Sequence, residues 1–136
     1  MACDAQQVIH PSDGMARGGL ALVVEDNSEM RCLLIEALSC LGYQAVGAGN
    51  GWEALPLIAA NDYVLILCDI EMPLLDGMEL FRATLAERPD NASRFVFVTG
   101  GWRHIDHNFL AETGQPCVPK PFTFERLREA INTLHG

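Results

Sequence analysis

A chain of 136 residues can bury one substantial core and leaves little room for a second independent domain. With 49% hydrophobic and 20% charged residues it has a globular composition, and no apolar run approaches the roughly 18 residues a membrane span needs. The net charge of −9, without a Lys/Arg cluster to neutralise phosphates, argues against direct nucleic-acid binding, so any transcriptional output would run through another protein. The start, Met1 to Gly19, has neither the basic flank nor the apolar segment of a secretory signal, and a cytoplasmic location is expected. Five cysteines (Cys3, Cys32, Cys40, Cys68, Cys117) without paired metal-ligand spacing suit reduced thiols better than a disulfide framework. Eight of the nine basic residues are arginines, which makes Lys120, the only lysine, conspicuous.

Residues 1–19 read as a loose tail and 20–136 as one domain. Leu20 to Val24 is an apolar run ending in Glu25-Asp26-Asn27-Ser28, the pattern of a buried strand followed by a helix cap. The next helix carries Met30, Leu33, Leu34, Ala37, Leu38 and Leu41 at helical spacing, and Gly42 stops it. Met30, Leu33, Leu34 and Ala37 are expected in the core, with Arg31 facing solvent. A short strand, Gln44 to Gly47, precedes a helix opened by Asn50-Gly51 and running to Ala60, in which Pro56 removes a donor. Tyr63 to Cys68 is nearly unbroken apolar sequence ending at Asp69, the mark of a strand covered on both faces. Asp76-Gly77-Met78-Glu79 resembles a capping box, and Met78, Phe81 and Leu85 supply an apolar stripe to its helix. Phe95 to Thr99 is another buried strand, closed by Gly100-Gly101. A short helix is expected between Asp106 and Thr113, a very short strand around Cys117-Val118, and a last helix capped by Thr123 with Phe124, Leu127, Ile131 and Leu134.

Five alternations of continuous apolar strand and helix imply an α/β fold, a doubly wound parallel sheet with helices on both faces and right-handed crossovers. The common strand order for five such units is 2-1-3-4-5, with the ligand site beyond the carboxyl ends of the strands at the switch point between strands 1 and 3. The polar residues at the ends of strands 1, 3, 4 and 5 are Glu25/Asp26, Asp69, Thr99 and Lys120, and they should converge. Three crowded carboxylates raise one another's pKa unless a cation intervenes, and a hard ion such as Mg²⁺ suits oxygen ligands. Lys120 adds a compact positive charge and Thr99 a hydroxyl. Together they describe a carboxylate nucleophile beside a metal, with two further groups for phosphoryl oxygens.

Val23-Val24-Glu25-Asp26, Asp69-Ile70-Glu71-Met72-Pro73-Leu74-Leu75-Asp76-Gly77, Val98-Thr99-Gly100-Gly101 and Pro119-Lys120-Pro121-Phe122 together resemble a response regulator receiver domain over roughly residues 20 to 134. The resemblance implies the flavodoxin-like (βα)5 fold and a phosphoacceptor switch of two-component or phosphorelay signalling. It implies that Asp69 takes the phosphoryl group from a phosphohistidine on a histidine kinase or histidine phosphotransfer protein. It also implies that Asp26, Asp69 and the backbone carbonyl of Glu71 ligate Mg²⁺ while Glu25 acts through water. Thr99 would donate to the phosphoryl group and Lys120 would pair with it. Thr99-Gly100-Gly101 and Phe109-Leu110 further resemble receivers fused to hybrid sensor histidine kinases. No output domain is expected within these residues, and the downstream partner is unspecified. One departure stands out: receivers usually carry Tyr or Phe three residues before the pocket lysine, and here that position is Cys117.

Two other classes compete. A phospho-independent pseudo-receiver would keep the fold as a binding module, but Asp26, Asp69, Thr99 and Lys120 are all intact. A dehalogenase-like phosphatase also uses an aspartyl nucleophile with Mg²⁺, but resembles its relatives in a second Asp two residues on, where this chain has Glu71, and it needs length for a cap domain. His104 and His107, three apart without a third ligand, read as loop histidines, and Trp102 as a surface or packing residue.

Overall fold

The computed structural model describes residues 18–101 and 107–135. Most of the expected N-terminal tail, together with Trp102 and His104, lies outside them. In chain order the elements are β1 (Leu20–Val24), α1 (Ser28–Cys40), β2 (Gln44–Ala48), α2 (Gly51–Ala60), β3 (Leu65–Asp69), α3 (Gly77–Glu87), α4 (Pro89–Ala92), β4 (Phe95–Thr99), α5 (His107–Thr113), β5 (Cys117–Pro119) and α6 (Phe124–His135). The strands form one sheet in the order β2-β1-β3-β4-β5, every pairing parallel. The expected α/β architecture and order are present.

Unbroken apolar runs are needed because successive side chains of a strand point to opposite faces and both faces are covered. Ala21, Val23, Leu65, Leu67, Val96 and Val98 pack on one side with Leu34 and Leu38 of α1 and Leu127 and Ile131 of α6. Leu22, Val24, Ile66, Cys68, Phe95 and Phe97 pack on the other with Ile58 of α2, Leu80 and Phe81 of α3 and Phe109 of α5. Phe81 meets Phe95 and Phe109 edge-on, at centroid distances of 5.3 and 5.7 Å, an arrangement favoured by the ring quadrupoles.

Side chains set the helix starts. Asn27 accepts from the Met30 amide at 2.8 Å, Asn50 from that of Glu53 at 2.9 Å, and Thr123 from that of Arg126 at 3.1 Å. Asp76 and Glu79 complete the reciprocal capping box of α3, both bonds at 2.9 Å. Gly42, at φ +98°, turns the chain out of α1.

Several sequence expectations need correction. β3 begins at Leu65 rather than Tyr63, and α4 was not anticipated. The inward face of α1 is Leu34, Ile35 and Leu38, while Leu33, one residue off that face, is 59% exposed. In α3, Leu80 and Thr84 are buried in place of Leu85, and Phe124 lies largely outside the core. Arg31 does not simply face solvent: it turns back and donates to the Glu25 carbonyl at 2.7 Å. Cys40, Cys68 and Cys117 are free thiols, but Cys32 is disulfide-bonded, against the expectation of reduced cysteines.

Gly77 locks α3 to the end of β3. A Cβ there would lie 2.7 Å from both the Asp69 carbonyl oxygen and the Ile70 Cα, and backbone atoms have little room to yield. Gly77→Ala, helpful in an ordinary helix, is therefore expected to destabilise by about 1–3 kcal/mol in urea unfolding. An unchanged or raised midpoint would mean that the loop after β3 gives way freely.

Candidate functional site

The parallel sheet delivers its polar strand ends to one edge. Glu25 follows β1, Asp69 ends β3, Thr99 ends β4 and Lys120 follows β5. Glu25, Asp69 and Thr99 are buried, with residual exposures of 1%, 4% and 0%, whereas Asp26 is exposed. Carboxylate oxygens of Glu25, Asp26 and Asp69 lie within 4.8 Å of one another. Lys120 bridges two of them, its Nζ donating to Glu25 Oε1 and to Asp69 Oδ2, each at 3.2 Å. The other Asp69 oxygen, Oδ1, accepts from the Glu71 amide at 3.1 Å.

This crowding changes the acidity of Asp69. Burial, reinforced by the neighbouring Glu25 charge and only partly offset by Lys120, pushes its carboxyl up to about 7. Burial works against the charge on Lys120, but Asp69 and Glu25 outweigh it and hold the ammonium above its ordinary value.

Glu25, Asp26, Asp69, Thr99 and Lys120 all reach this edge, but Thr99 is engaged differently from the expectation. Its hydroxyl donates to Glu71 Oε2 at 2.6 Å and accepts from the Gly101 amide at 3.1 Å, while the Gly100 amide donates to Glu71 Oε1 at 3.0 Å. Glu71 was expected here for its backbone carbonyl, whereas these side-chain bonds were not foreseen. Its partners lie across the β3–β4 gap, and no local spacing encodes such a contact. Lys120 is held at its own backbone by Thr99, the Lys120 amide donating to the Thr99 carbonyl at 2.6 Å.

Residues 21–132 match the family model of the response regulator receiver domain. The chain belongs to that family. Receivers are signalling domains of two-component systems, and they work with histidine kinases or phosphotransfer proteins. Among relatives, this receiver is 37% identical over 114 residues to the response regulator receiver protein CpdR of Brucella abortus, covering 83% of this chain and 91% of that one. It is 31% identical over 120 residues to the sensor histidine kinase RcsC of Salmonella typhi, covering 82% of this chain and only 12% of the kinase. Receivers of both stand-alone and hybrid-kinase proteins are thus among its relatives. Among solved structures, the receiver domain of a Pseudomonas aeruginosa sensor histidine kinase, with a magnesium ion coordinated in its active site cleft, aligns with a TM-score of 0.76 at 25% identity, covering 88% of this chain and 99% of that one. The response regulator TrrA of Thermotoga maritima, in complex with Mg²⁺-BeF, aligns with a TM-score of 0.74 at 30% identity, covering 85% and 97%. Among the described residues of this receiver no helix is long and apolar enough to cross a membrane.

Proposed function

We propose that this receiver accepts a phosphoryl group on Asp69 from a phosphohistidine donor and thereby acts as a signalling switch. The observation that carries the reading is Asp69 itself, a buried carboxylate at the end of the central strand, held by Lys120 on one oxygen and by a backbone amide on the other. A purely structural aspartate would not need two further carboxylates within 4.8 Å.

The donor set fits a hard divalent cation. Mg²⁺ takes oxygen ligands and retains waters, and its charge would offset the burial and the Glu25 repulsion that raise the Asp69 pKa. Asp26, Asp69 and the Glu71 backbone carbonyl would hold it, with Glu25 acting through water. When bound, the ion supplies neutralising charge for the phosphoryl oxygens. The protein's own residues do the rest. An Asp69 oxygen forms the bond to phosphorus as the P–N bond to the donor imidazole breaks in line with it. Lys120 stabilises the charge on the transferring oxygens, and the Thr99 hydroxyl is the nearby neutral donor. Hydrolysis of the acyl phosphate in the same pocket resets the switch.

A docking surface for the donor adjoins the site. A groove of about 670 Å³ between α1 and α6 is lined by Met30, Leu33, Ala37, Phe122 and Phe124 and reaches Lys120. Leu33 and Phe124, both expected in the core, are 59% and 47% exposed along it. An amphipathic helix could seat its apolar face there and bring a histidine to Asp69.

Intact-mass measurement after incubation with Mg²⁺ and acetyl phosphate tests the reading. The wild type is expected to gain one hydroxylamine-labile phosphoryl group and Asp69→Asn none. Equal labelling of both would move the acceptor elsewhere. Phosphate released from varied esters without labelling would mark a phosphatase, and neither result a pseudo-receiver.

A further inference from the structure

Building on the assignment of Asp69 as phosphoacceptor, we infer that Glu71 is an internal competitor of the phosphoryl group: its carboxylate occupies the Thr99 hydroxyl and the Gly100 amide, and must leave before those donors can bind phosphate. Both carboxylate oxygens are used, Oε2 by Thr99 at 2.6 Å and Oε1 by Gly100 at 3.0 Å. Hydrogen bonds to an ionised acceptor are the strong ones, so this is a substantial occupation of the end of β4.

The chemistry of a hydroxyl makes the occupation exclusive. Thr99 has one proton to give, and it gives it to Glu71; its oxygen already accepts from Gly101. With the residue fully buried, no alternative donor from bulk water can replace it. Donation to a phosphoryl oxygen on Asp69 therefore requires the Thr99–Glu71 bond to break. Glu71 is tied to the acceptor as well, since its amide holds Asp69 Oδ1 at 3.1 Å. One residue thus straddles the site, with its backbone on the acceptor and its side chain on the donors.

The surroundings suit a carboxylate that comes and goes. Gly101 admits it closely, since a Cβ there would stand 3.2 Å from Glu71 Oε2. Cys117 lies within reach of its charge, the thiol being pushed up to about 11 by burial and by Glu71. A thiol is much smaller than the aromatic ring usual at that position. Glu71 is itself an exposed residue, so its side chain can swing into solvent without opening the core. A phosphoryl group on Asp69 would repel the carboxylate and drive that swing, which makes Glu71 release the first movement of the switch.

Titration with beryllofluoride at saturating Mg²⁺ isolates this competition, because the complex reports equilibrium occupancy of the phosphoryl site and involves no hydrolysis. The amide resonance of Gly100 provides the readout. Glu71→Ala is expected to bind about tenfold tighter than wild type, the scale of one lost charged hydrogen bond. Glu71→Asp retains the charge but is one methylene too short to span both donors, and it is expected to recover much of that gain. Wild-type affinity in both variants overturns the proposal. A gain in Glu71→Ala with none in Glu71→Asp assigns the effect to charge alone and overturns it as well. Absence of binding in the wild type would instead sink the phosphoacceptor reading and take the competition with it.

Discussion

In metal-free buffer at about pH 8, Asp69→Asn is expected to be more stable than the wild type by roughly 2–4 kcal/mol in urea unfolding. The ordinary carboxyl value near 3.8 is displaced to about 7 in the folded protein, by burial first and by Glu25 second. A native state that binds the proton more tightly than the unfolded chain loses stability as pH rises. The penalty is absent below about pH 4, grows between about 4 and 7, and is complete above, so the gap between variant and wild type should open through that window. The asparagine removes the charge and leaves Lys120 paired with Glu25, to which it donates at 3.2 Å. Saturating Mg²⁺ should stabilise the wild type and narrow the gap, because a ligand that binds only the folded state adds to its stability. Parallel stability curves for the two proteins across this pH range would mean that Asp69 titrates like an ordinary surface carboxylate.

The same crowding of charge is what makes the site legible in the sequence. A sequence that ends its central, doubly covered strand in aspartate, and ends the strand beside it in Glu25-Asp26, concentrates charge where folding alone gains nothing. The fold was legible for a related reason: runs such as Leu65–Cys68 tolerate no polar residue because both faces are packed. What escaped was tertiary. The stripe on α1 was read correctly except that Leu33 was placed inside and Ile35 left out, because Leu33 is as apolar as its neighbours and spacing alone cannot say that it turns toward the groove beside Phe124. Arg31 looked solvent-facing because nothing local announces the Glu25 carbonyl as its partner. Glu71 was expected at the site for its backbone carbonyl, but its side-chain bonds to Thr99 and Gly100 escaped because they span 28 and 29 residues of chain.

Lys120→Met is expected to slow phosphorylation of Asp69 by about 10²-fold, the usual effect of removing one preorganised group that stabilises transition-state charge. The ammonium touches Asp69 Oδ2 and Glu25 Oε1 and is the only lysine in the chain. Lys120→Arg should restore little, because a planar fork with fixed donor directions does not replace a compact ammonium between two carboxylates 3.2 Å away. Removing the lysine also leaves Glu25 and Asp69 buried without their cation, so the metal-free variant should be less stable than the wild type. The structural part of that effect is isolated in the double variant Asp69→Asn/Lys120→Met, whose stability should recover because one of the two carboxylates is gone. The decisive measurement is the initial rate of mass gain in Lys120→Met at saturating Mg²⁺, where the ion supports the fold. A near-wild-type rate there would show that the lysine serves only to hold two carboxylates together and takes no part in phosphoryl transfer.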